Sequence, residues 1–275
     1  MIDFAGRVAV VTGAGRGLGR AYALLLAERD ATVVVHDAGV GRDGTGADPS
    51  VADAVVEEIR AAGGAAEPAY DGLGDPSGCR ALIDGVLGRF GKVDALVHSA
   101  GLVIRAPVEQ MDEERWRRSQ AVNVDAAFWL VQRLLPRMRE RGYGRIVLTT
   151  SGFGLGPSEE MEDLAAYCVA KAGQYGLMNG VAWAATSGVL VNAVAPVAAT
   201  RIFTQPAEPG ELTPEQVAPG VVFLASSVCT VSGVVLRAAG GRFGVGRYDR
   251  GTEIDFGREP TSPEAFADRW PELAR

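Results

Sequence analysis

Short apolar runs recur along the chain and alternate with longer stretches in which apolar residues return with helical spacing. Because the short runs are apolar almost throughout, they are typical of strands buried on both faces of a parallel sheet. The predicted strands are Val8–Thr12, Thr32–His36, Ala66–Tyr70, Val93–His98, Arg145–Thr149, Leu190–Val194 and Val234–Arg237. The predicted helices are Leu18–Arg29, Ser50–Ala62, Ser77–Phe90, Glu113–Arg139 and Asp163–Thr186. This alternation predicts a doubly wound α/β fold, in which a seven-stranded, mostly parallel sheet carries helices on both faces.

No linker or internal repeat divides the chain, so we expect one domain over residues 1–275, with an irregular tail over 240–275. Ala38–Pro49 is rich in Gly and Asp and predicts a mobile loop after the second strand. Ala198–Pro214 contains Pro206 and Pro209 and is a candidate lid. The tail could cover a substrate pocket or a neighbouring subunit, and the sequence leaves both alternatives open.

Composition narrows the class of protein. The formal net charge is −7, and the two signs are interspersed, which argues against a nucleic-acid or membrane partner because both favour clustered basic residues. The chain has 3 Cys without metal-site spacing and 2 His, so we expect reduced thiols and no metal. The start lacks the pattern of a signal peptide, and no apolar run is long enough to span a bilayer. We therefore expect a cytoplasmic protein.

A glycine-rich turn, Thr12–Gly19, separates the first strand from the first helix. Glycine is needed there so that backbone N–H groups and the helix N-terminus can reach a pyrophosphate, which predicts a dinucleotide site. Asp37 ends the second strand, where a carboxylate accepts hydrogen bonds from the ribose of NAD and repels the 2′-phosphate of NADP. Arg16, within the turn, could instead pair with that phosphate. We predict NAD.

Tyr167 and Lys171 lie four residues apart in a predicted helix and so share one face. A Lys ammonium beside a Tyr hydroxyl stabilises the phenolate and lowers the pKa of the Tyr, which suits it for acid/base catalysis near neutral pH. The spacing alone is common among surface residues. Its significance depends on the other motifs.

In the order of its motifs, the chain resembles the short-chain dehydrogenase/reductase family over residues 5–240. The motifs that carry the resemblance are Thr12–Gly19, His98–Gly101, Asn123, Ser151, Tyr167 with Lys171, and Ala195–Pro196. The resemblance implies a Rossmann fold and an NAD-dependent enzyme that interconverts an alcohol and a ketone. A rival reading keeps the fold but makes the protein a non-catalytic NAD-binding regulator.

The resemblance also implies residue roles. Tyr167 would exchange the proton of the substrate hydroxyl, and Ser151 would bind the substrate oxygen. Lys171 would bind the nicotinamide ribose and lower the pKa of Tyr167, while Asn123 would position a water that links Lys171 to solvent. Asp71 would lie near the adenine, and Pro196 and Thr200 beside the nicotinamide. The implied cofactor-binding set is Gly13, Gly15, Arg16, Gly17, Leu18, Gly19, Asp37, Asp71, Gly72, His98, Ala100, Gly101, Tyr167, Lys171, Pro196 and Thr200.

The chain departs from the family pattern in three places, one of which is Cys168 directly after Tyr167, where we expect a buried small residue. The family's Ser usually lies about thirteen residues before the Tyr, but that position is Gly154 here, and residues 155–162 resemble an insertion. Ser151 follows a strand that matches the family, so we assign it the role, with Thr150 and Ser158 as alternatives. His98 and Ser99 also replace two Asn of the family.

A closer resemblance concerns the (3R)-hydroxyacyl-CoA dehydrogenase part of peroxisomal multifunctional β-oxidation enzymes. It is carried by Gly19–Leu24, Val34–Asp37, Val55–Ile59, Tyr70–Asp71, Gly142–Ile146 and Asn192–Pro196. It implies a 3-hydroxyacyl-CoA substrate, although a hydroxysteroid or another bulky alcohol stays open. Only scattered arginines, Arg237, Arg242, Arg247 and Arg250, could bind CoA phosphates. In this family long helices such as Glu113–Arg139 and Asp163–Thr186 pair between subunits, so we expect a homodimer or homotetramer.

Overall fold

The computed structural model describes residues 2–156, 162–185, 188–201, 208, 210–246, 251–258 and 260–273. The chain forms two compact units, Met1–Val245 and Gly246–Arg275. The larger unit contains the sheet and the helices that pack on it. In the described ranges, no helix is both long and apolar enough to cross a membrane.

Among the described residues, eight strands form the sheet: β1 Val8–Thr12, β2 Thr32–His36, β3 Ala65–Ala69, β4 Ala95–His98, β5 Gly144–Thr149, β6 Val189–Val197, β7 Val235–Ala239 and β8 Arg242–Gly246. Their order is β3-β2-β1-β4-β5-β6-β7-β8, and β1 to β7 pair in parallel. The chain leaves β1 towards β2 on one side and reaches β4 on the other. This reversal opens a crevice at the carboxyl ends of β1 and β4, where open α/β sheets bind ligands.

The doubly wound α/β class is confirmed, but the predicted count of seven strands is wrong by one. Gly240 and Gly241, both with positive φ, connect β7 to β8. So short a connection joins only antiparallel strands. Because none of the β8 side chains is buried, this strand lacks the continuous apolar run by which the others were predicted.

The helices are α1 Gly17–Glu28, α2 Ser50–Ala61, α3 Pro76–Phe90, α4 Glu113–Gln120, α5 Ala126–Glu140, α6 Ala165–Ala184, α7 Ala218–Ala225 and α8 Pro263–Leu273. On one face of the sheet, α1 and α7 bury residues such as Tyr22 and Val221 in a shared core with α2. On the other face, α3, α5 and α6 bury residues such as Leu130 and Met178. The central strands β1, β2, β4 and β5 are therefore covered on both sides, which explains their continuous apolar runs.

The single helix predicted over Glu113–Arg139 is interrupted by a π-helical turn, Ala121–Asp125, between α4 and α5. The N–H of Ala126 donates to the carbonyl of Ala121, five residues earlier. Such a turn accommodates one extra residue, breaks the regular hydrogen-bond ladder and often marks a functional site. Asn123 lies at its centre.

The segments predicted to be irregular have different outcomes. Ala38–Pro49 contains only turns and bends, as expected of a loop. Residues 202–207 and 209 of the predicted lid, with Pro206 and Pro209, lie outside the described residues, as do Arg247 and Arg250. The tail was predicted to be irregular, but it contains β8 and α8. Within the smaller unit, Phe266 of α8 lies 6.2 Å from Phe256 between ring centres.

Candidate active site

A cavity of about 380 Å³ opens at the carboxyl ends of β1, β2 and β4, with the glycine-rich turn as one wall. Gly13 has a φ of +65°, and a Cβ there would lie 2.8 Å from the Cα of Ala100. A Cβ on Gly19 would lie 2.1 Å from the carbonyl oxygen of Gly13. This close backbone packing, at the start of α1, fits a pyrophosphate. The wall includes these predicted cofactor ligands: Gly13, Arg16, Gly17, Leu18, Gly19, Asp37, Gly72, Ala100, Gly101 and Thr200.

Asp37 is fixed at the rim of this cavity by two backbone groups. Its Oδ2 accepts a hydrogen bond from the N–H of Gly15 at 3.0 Å, and its Oδ1 accepts one from the N–H of Gly39 at 2.8 Å. Gly15 therefore contributes by orienting the carboxylate rather than by lining the cavity. The arrangement leaves further lone pairs of Asp37 available to hydroxyl donors such as those of a ribose.

Two guanidinium groups lie at the same end of the cavity. Arg16 and Arg201 both donate from Nη1 to the carbonyl of Val40, at 3.4 and 2.9 Å. Burial, followed by the positive charge of Arg16, lowers the pKa of Arg201, and the charge of Asp37 opposes this effect. Arg201 was not predicted from the sequence. The pair makes this end of the cavity attractive to anions as well as to hydroxyl donors.

Besides Gly15, Asp71 and His98 are predicted cofactor ligands that do not reach the wall of this cavity. The backbone carbonyl of Asp71 is hydrogen-bonded to Nε2 of His36 at 2.8 Å, and Asp71 lines a separate hollow beside Tyr70. His98 is fully buried, and its Nδ1 shares a hydrogen bond with Oγ1 of Thr12 at 2.9 Å. Because its side chain points between the layers, His98 can act on a ligand only through its neighbours.

A second cavity, of about 500 Å³, adjoins the first and shares Leu18, Ser99, Gly101 and Thr200 with it. It is lined by all four predicted catalytic residues, together with Pro196. The sequence places these residues on separate elements: the π-helical turn, the end of β5, the first turns of α6 and the end of β6. The parallel sheet brings them together because the carboxyl ends of β5 and β6 meet at one edge.

Ser151 lies two residues beyond β5, at the start of a short 3₁₀ turn. Its Oγ accepts a hydrogen bond from the N–H of Phe153 at 3.3 Å, and its hydroxyl is hydrogen-bonded to that of Tyr167. The alternative Thr150 is buried and donates its hydroxyl to the carbonyl of Lys171 at 2.7 Å. Ser158 lies outside the described residues. Of the described candidates, Ser151 therefore has the hydroxyl that pairs with Tyr167.

Lys171 is buried behind Tyr167, with its Nζ 5.5 Å from the centre of the Tyr ring. The Nζ donates to the carbonyl of Thr149 at 2.7 Å. Burial lowers the pKa of Lys171 to about 7 and raises the pKa of Tyr167 to about 12, while the hydrogen bond with Ser151 acts in the lowering direction on Tyr167. The net shift of the Tyr167 pKa is therefore upward, through desolvation of the phenolate, and not the lowering expected from Lys171.

All polar groups of Asn123 have protein partners. Its Nδ2 donates to the carbonyls of Ser119 and Leu102, both at 2.9 Å, and its Oδ1 accepts from the N–H of Leu102 at 3.3 Å. Its backbone carbonyl accepts a hydrogen bond from Nε2 of Gln174 at 2.6 Å. A water held by Asn123 would have to use a remaining lone pair, so the relay role stays a prediction.

Besides Arg201, two side chains at the site were not predicted from the sequence. Gln174 is a buried polar residue of α6, three residues after Lys171, and apart from these two the buried residues of the helix are apolar. A polar residue at such a position was the available signal. Arg105 lines the catalytic cavity and donates from Nη1 to the carbonyl of Glu162 at 3.1 Å. Arg105 lies in an irregular segment without periodicity, so no pattern marked it.

A glycine-lined cavity that adjoins a Ser–Tyr–Lys cavity on a doubly wound sheet defines a dinucleotide-dependent oxidoreductase. Residues 7–209 match the short chain dehydrogenase family. A short-chain type dehydrogenase/reductase of Mycobacterium tuberculosis is 39% identical over 97% of this chain and 93% of that protein. Peroxisomal multifunctional enzyme type 2 of Drosophila melanogaster is 40% identical over 87% of this chain, but the match covers only 40% of that enzyme.

Solved structures agree with these relatives. A short chain dehydrogenase from Mycobacterium avium superposes with a TM-score of 0.85 at 35% identity, over 98% of this chain and 95% of that one. A 7α-hydroxysteroid dehydrogenase, in complex with NADH and 7-oxo glycochenodeoxycholic acid, superposes with a TM-score of 0.77 at 29% identity, over 87% and 95%. The chain therefore belongs to the short-chain dehydrogenase/reductase family. It is an oxidoreductase of alcohols or ketones, and its family uses NAD(P).

Proposed function

We propose that this protein is an NAD-dependent dehydrogenase that interconverts a secondary alcohol and its ketone, with 3-hydroxyacyl-CoA as the leading substrate class. The observation that carries the proposal is the common cavity of Ser151, Tyr167 and Lys171, which adjoins the glycine-lined cavity. A bound nicotinamide dinucleotide would supply the hydride chemistry. The glycine-rich turn would hold its pyrophosphate, and Asp37 its adenine ribose.

In the reductive direction, Ser151 Oγ donates a hydrogen bond to the substrate carbonyl oxygen and stabilises the charge that develops on it. Tyr167 Oη then gives its proton to that oxygen. In the oxidative direction, Tyr167 Oη takes the hydroxyl proton back. Lys171 lies behind the Tyr with a pKa of about 7, so it can hold or release a proton near neutral pH.

The raised pKa of Tyr167, about 12, predicts opposite pH dependences for the two directions. Reduction uses the neutral phenol, which predominates at neutral pH. Oxidation requires the phenolate. As long as the pH is below the pKa, the phenolate fraction increases about tenfold for each unit by which the pH rises. We expect kcat/KM for alcohol oxidation to rise from pH 6 to pH 9, while kcat/KM for ketone reduction does not rise.

Tyr167→Phe tests the proposal directly because it removes only the hydroxyl. We expect a loss of about a thousandfold or more in kcat/KM, with cofactor binding retained. Tyr175→Phe, on the same helix outside the cavity wall, is the matched control and should keep its activity. Turnover would be followed by NADH absorbance. Full activity in the Tyr167 variant would refute the assigned chemistry.

Asp37 supports NAD over NADP because its fixed carboxylate would face a 2′-phosphate. The guanidinium groups of Arg16 and Arg201 favour the phosphate, but both are already hydrogen-bonded to Val40. Asp37→Ser should therefore raise kcat/KM for NADP relative to NAD by at least about tenfold, since like charges in contact cost several kcal/mol. An unchanged ratio would show that Asp37 does not select the cofactor.

For the substrate, the catalytic cavity combines apolar wall residues such as Leu164 and Phe153 with Arg105 at its exposed edge. This combination supports a ketone on an apolar chain that also carries an anionic group, as in an acyl-CoA. The likeness to a hydroxysteroid dehydrogenase supports a bulky alcohol as the alternative. A panel of 3-hydroxyacyl-CoAs and uncharged hydroxysteroids, assayed on wild type and Arg105→Gln, separates the two. Only anionic substrates should lose affinity in the variant.

We also propose a homo-oligomer. Trp116 on α4, Phe128 on α5 and Val169 on α6 are large apolar side chains with 39%, 42% and 50% of their surface exposed. Exposed apolar residues on neighbouring helices are typical of subunit interfaces. Light scattering at micromolar concentration should give a dimer or tetramer, and a monomer would contradict the proposal.

A further inference from the structure

Gln174 is a fully buried polar residue behind the catalytic cavity, and no role has been assigned to it so far. Its exposed fraction is 0%, and apart from Lys171 the other buried residues of α6, such as Ala170 and Met178, are apolar. A buried amide is retained in such surroundings only when both of its ends are hydrogen-bonded. Packing alone would be served by an aliphatic side chain.

Both ends of the Gln174 amide bind the backbone of elements that carry the site. Its Nε2 donates to the carbonyl of Asn123 at 2.6 Å, and its Oε1 accepts from the N–H of Thr149 at 3.1 Å. Only one orientation of the amide satisfies both bonds, because the carbonyl needs a donor and the N–H needs an acceptor. Gln174 therefore connects the π-helical turn to the carboxyl end of β5.

Thr149 is also the residue that holds Lys171. Its backbone carbonyl accepts the hydrogen bond from Lys171 Nζ at 2.7 Å, and its hydroxyl donates to the carbonyl of His98 at 2.7 Å. Thr149 is thus fixed through its N–H by Gln174 and through its hydroxyl by β4. Its carbonyl is the acceptor that remains for Lys171.

The π-helical turn explains why the backbone carbonyl of Asn123 needs a hydrogen-bond donor from a side chain. The hydrogen bond from Ala126 to Ala121 skips the regular helical spacing, so carbonyls within the turn lose their usual partners. The carbonyl of Asn123 is satisfied by Gln174 instead. The amide also occupies one lone pair of an oxygen that would otherwise be free to bind water.

We infer that Gln174 is a positioning residue for Lys171: its amide clamps the π-helical turn to β5 and thereby fixes the Thr149 carbonyl that orients the ammonium group. The inference rests on the catalytic role proposed for Lys171. Loss of the clamp would leave the substrate-binding residues in place but let the ammonium group move. We therefore expect the effect in kcat and in its pH dependence rather than in KM.

Gln174→Leu removes both hydrogen bonds and keeps an aliphatic side chain in place. Met178→Leu, one helical turn further along the same buried face, is the matched control for a change in core packing. In Gln174→Leu we expect hydrogen exchange of the Thr149 amide to accelerate and kcat to fall on the order of tenfold, with KM within about twofold. The pH profile of kcat should shift as well. Met178→Leu should leave the exchange rate, kcat, KM and the pH profile unchanged. Tyr167 and His98, the titratable neighbours of Lys171, are intact in both variants.

Gln174→Glu separates positioning from folding. A neutral carboxyl group can accept from Thr149 and donate to Asn123, as Gln does, but an ionised one has no proton to donate. The ratio of wild-type kcat to variant kcat should therefore rise with pH. A ratio that is independent of pH would overturn the inference, even if Gln174→Leu failed to fold. Slow Thr149 exchange in Gln174→Leu, or a kinetic profile like that of Met178→Leu, would also overturn it. Because exchange needs no substrate, failure of the clamp is distinguishable from failure of the proposed function, which Tyr167→Phe decides.

Discussion

His98 is fully buried at the end of β4, and its burial predicts that the folded protein loses stability as the pH falls below 6.5. Its Nδ1 shares a hydrogen bond with Thr12, and its Nε2 has no partner among the described residues. A charged imidazole would present two donors, and only one could be satisfied. Burial, then the positive charges of Lys171 and His36, lower the pKa of His98 to about 3. The folded protein therefore keeps this side chain neutral.

The size of the effect on the free energy of unfolding follows from the difference between the pKa of His98 in the folded state and its pKa in the unfolded state. In the unfolded chain His98 titrates with a pKa of about 6.5, so below that pH the unfolded state binds a proton that the folded state does not. The stabilisation is fully present above pH 6.5 and is lost progressively as the pH falls towards the folded pKa of about 3. The slope is about half of 1.4 kcal/mol per pH unit at pH 6.5 and approaches about 1.4 kcal/mol per unit further below it, so the loss between pH 6.5 and pH 4.5 is about 2 kcal/mol.

His98→Asn keeps a polar side chain next to Thr12 but cannot titrate. The free energy of unfolding would be measured by urea denaturation of both proteins at intervals from pH 7.5 to pH 4.5. The smaller side chain lowers the absolute stability, but we expect the curve of the variant to fall less steeply by about 1 kcal/mol for each pH unit below 6.5. Carboxylates contribute equally to both proteins and cancel in the difference. Parallel curves would refute the assignment of a depressed pKa to His98.

Two further predictions use matched pairs. Asp94 is almost fully buried at the start of β4 and forms ion pairs with basic side chains that include Lys92, so Asp94→Asn should lower the free energy of unfolding by about 3 kcal/mol in urea denaturation. Asp84→Asn breaks an exposed ion pair and should lower it by less than about 1 kcal/mol. Equal losses in the two variants would contradict this account. Gly13→Ala places a Cβ against Ala100 in a left-handed backbone conformation and should cost stability and weaken NADH binding by at least about tenfold. In the control Gly88→Ala, the new Cβ lies in open space on α3, and this variant should instead be more stable by about 0.5–1 kcal/mol. Normal NADH binding by Gly13→Ala in a fluorescence titration would contradict the tight fit at the turn.

The sequence was most informative where strands are buried. The bounds of β1 and β2 agree with the predicted Val8–Thr12 and Thr32–His36, because every residue there needs to be apolar or hydrogen-bonded between two layers. The same reasoning could not detect β8, whose side chains face solvent. It also merged α4 and α5, since a single extra residue in a π-helical turn barely changes a helical periodicity.

The candidate site was predictable in its residue types but not in its side-chain directions. The match of the preceding strand to the family favoured Ser151 over Thr150 and Ser158, and in the structure the Ser151 hydroxyl is hydrogen-bonded to that of Tyr167. The direction of His98 depends on the pleat of β4, which no motif records. The task of Gln174 depends on two backbone groups, 51 and 25 residues away along the chain, that only the folded sheet brings together.

Burial sets the charge of this site as well as its shape. It moves the pKa of His98 down to about 3 and that of Tyr167 up to about 12, so neither group changes charge near neutral pH. The same desolvation brings the pKa of Lys171 to about 7, where it gains or loses a proton most readily. Lys171, directly behind the ring, is thus the proton acceptor of the site that titrates near neutral pH, although its pKa lies well below that of Tyr167. The orientation of that acceptor depends on the Thr149 carbonyl, and hence on the interactions that hold the end of β5.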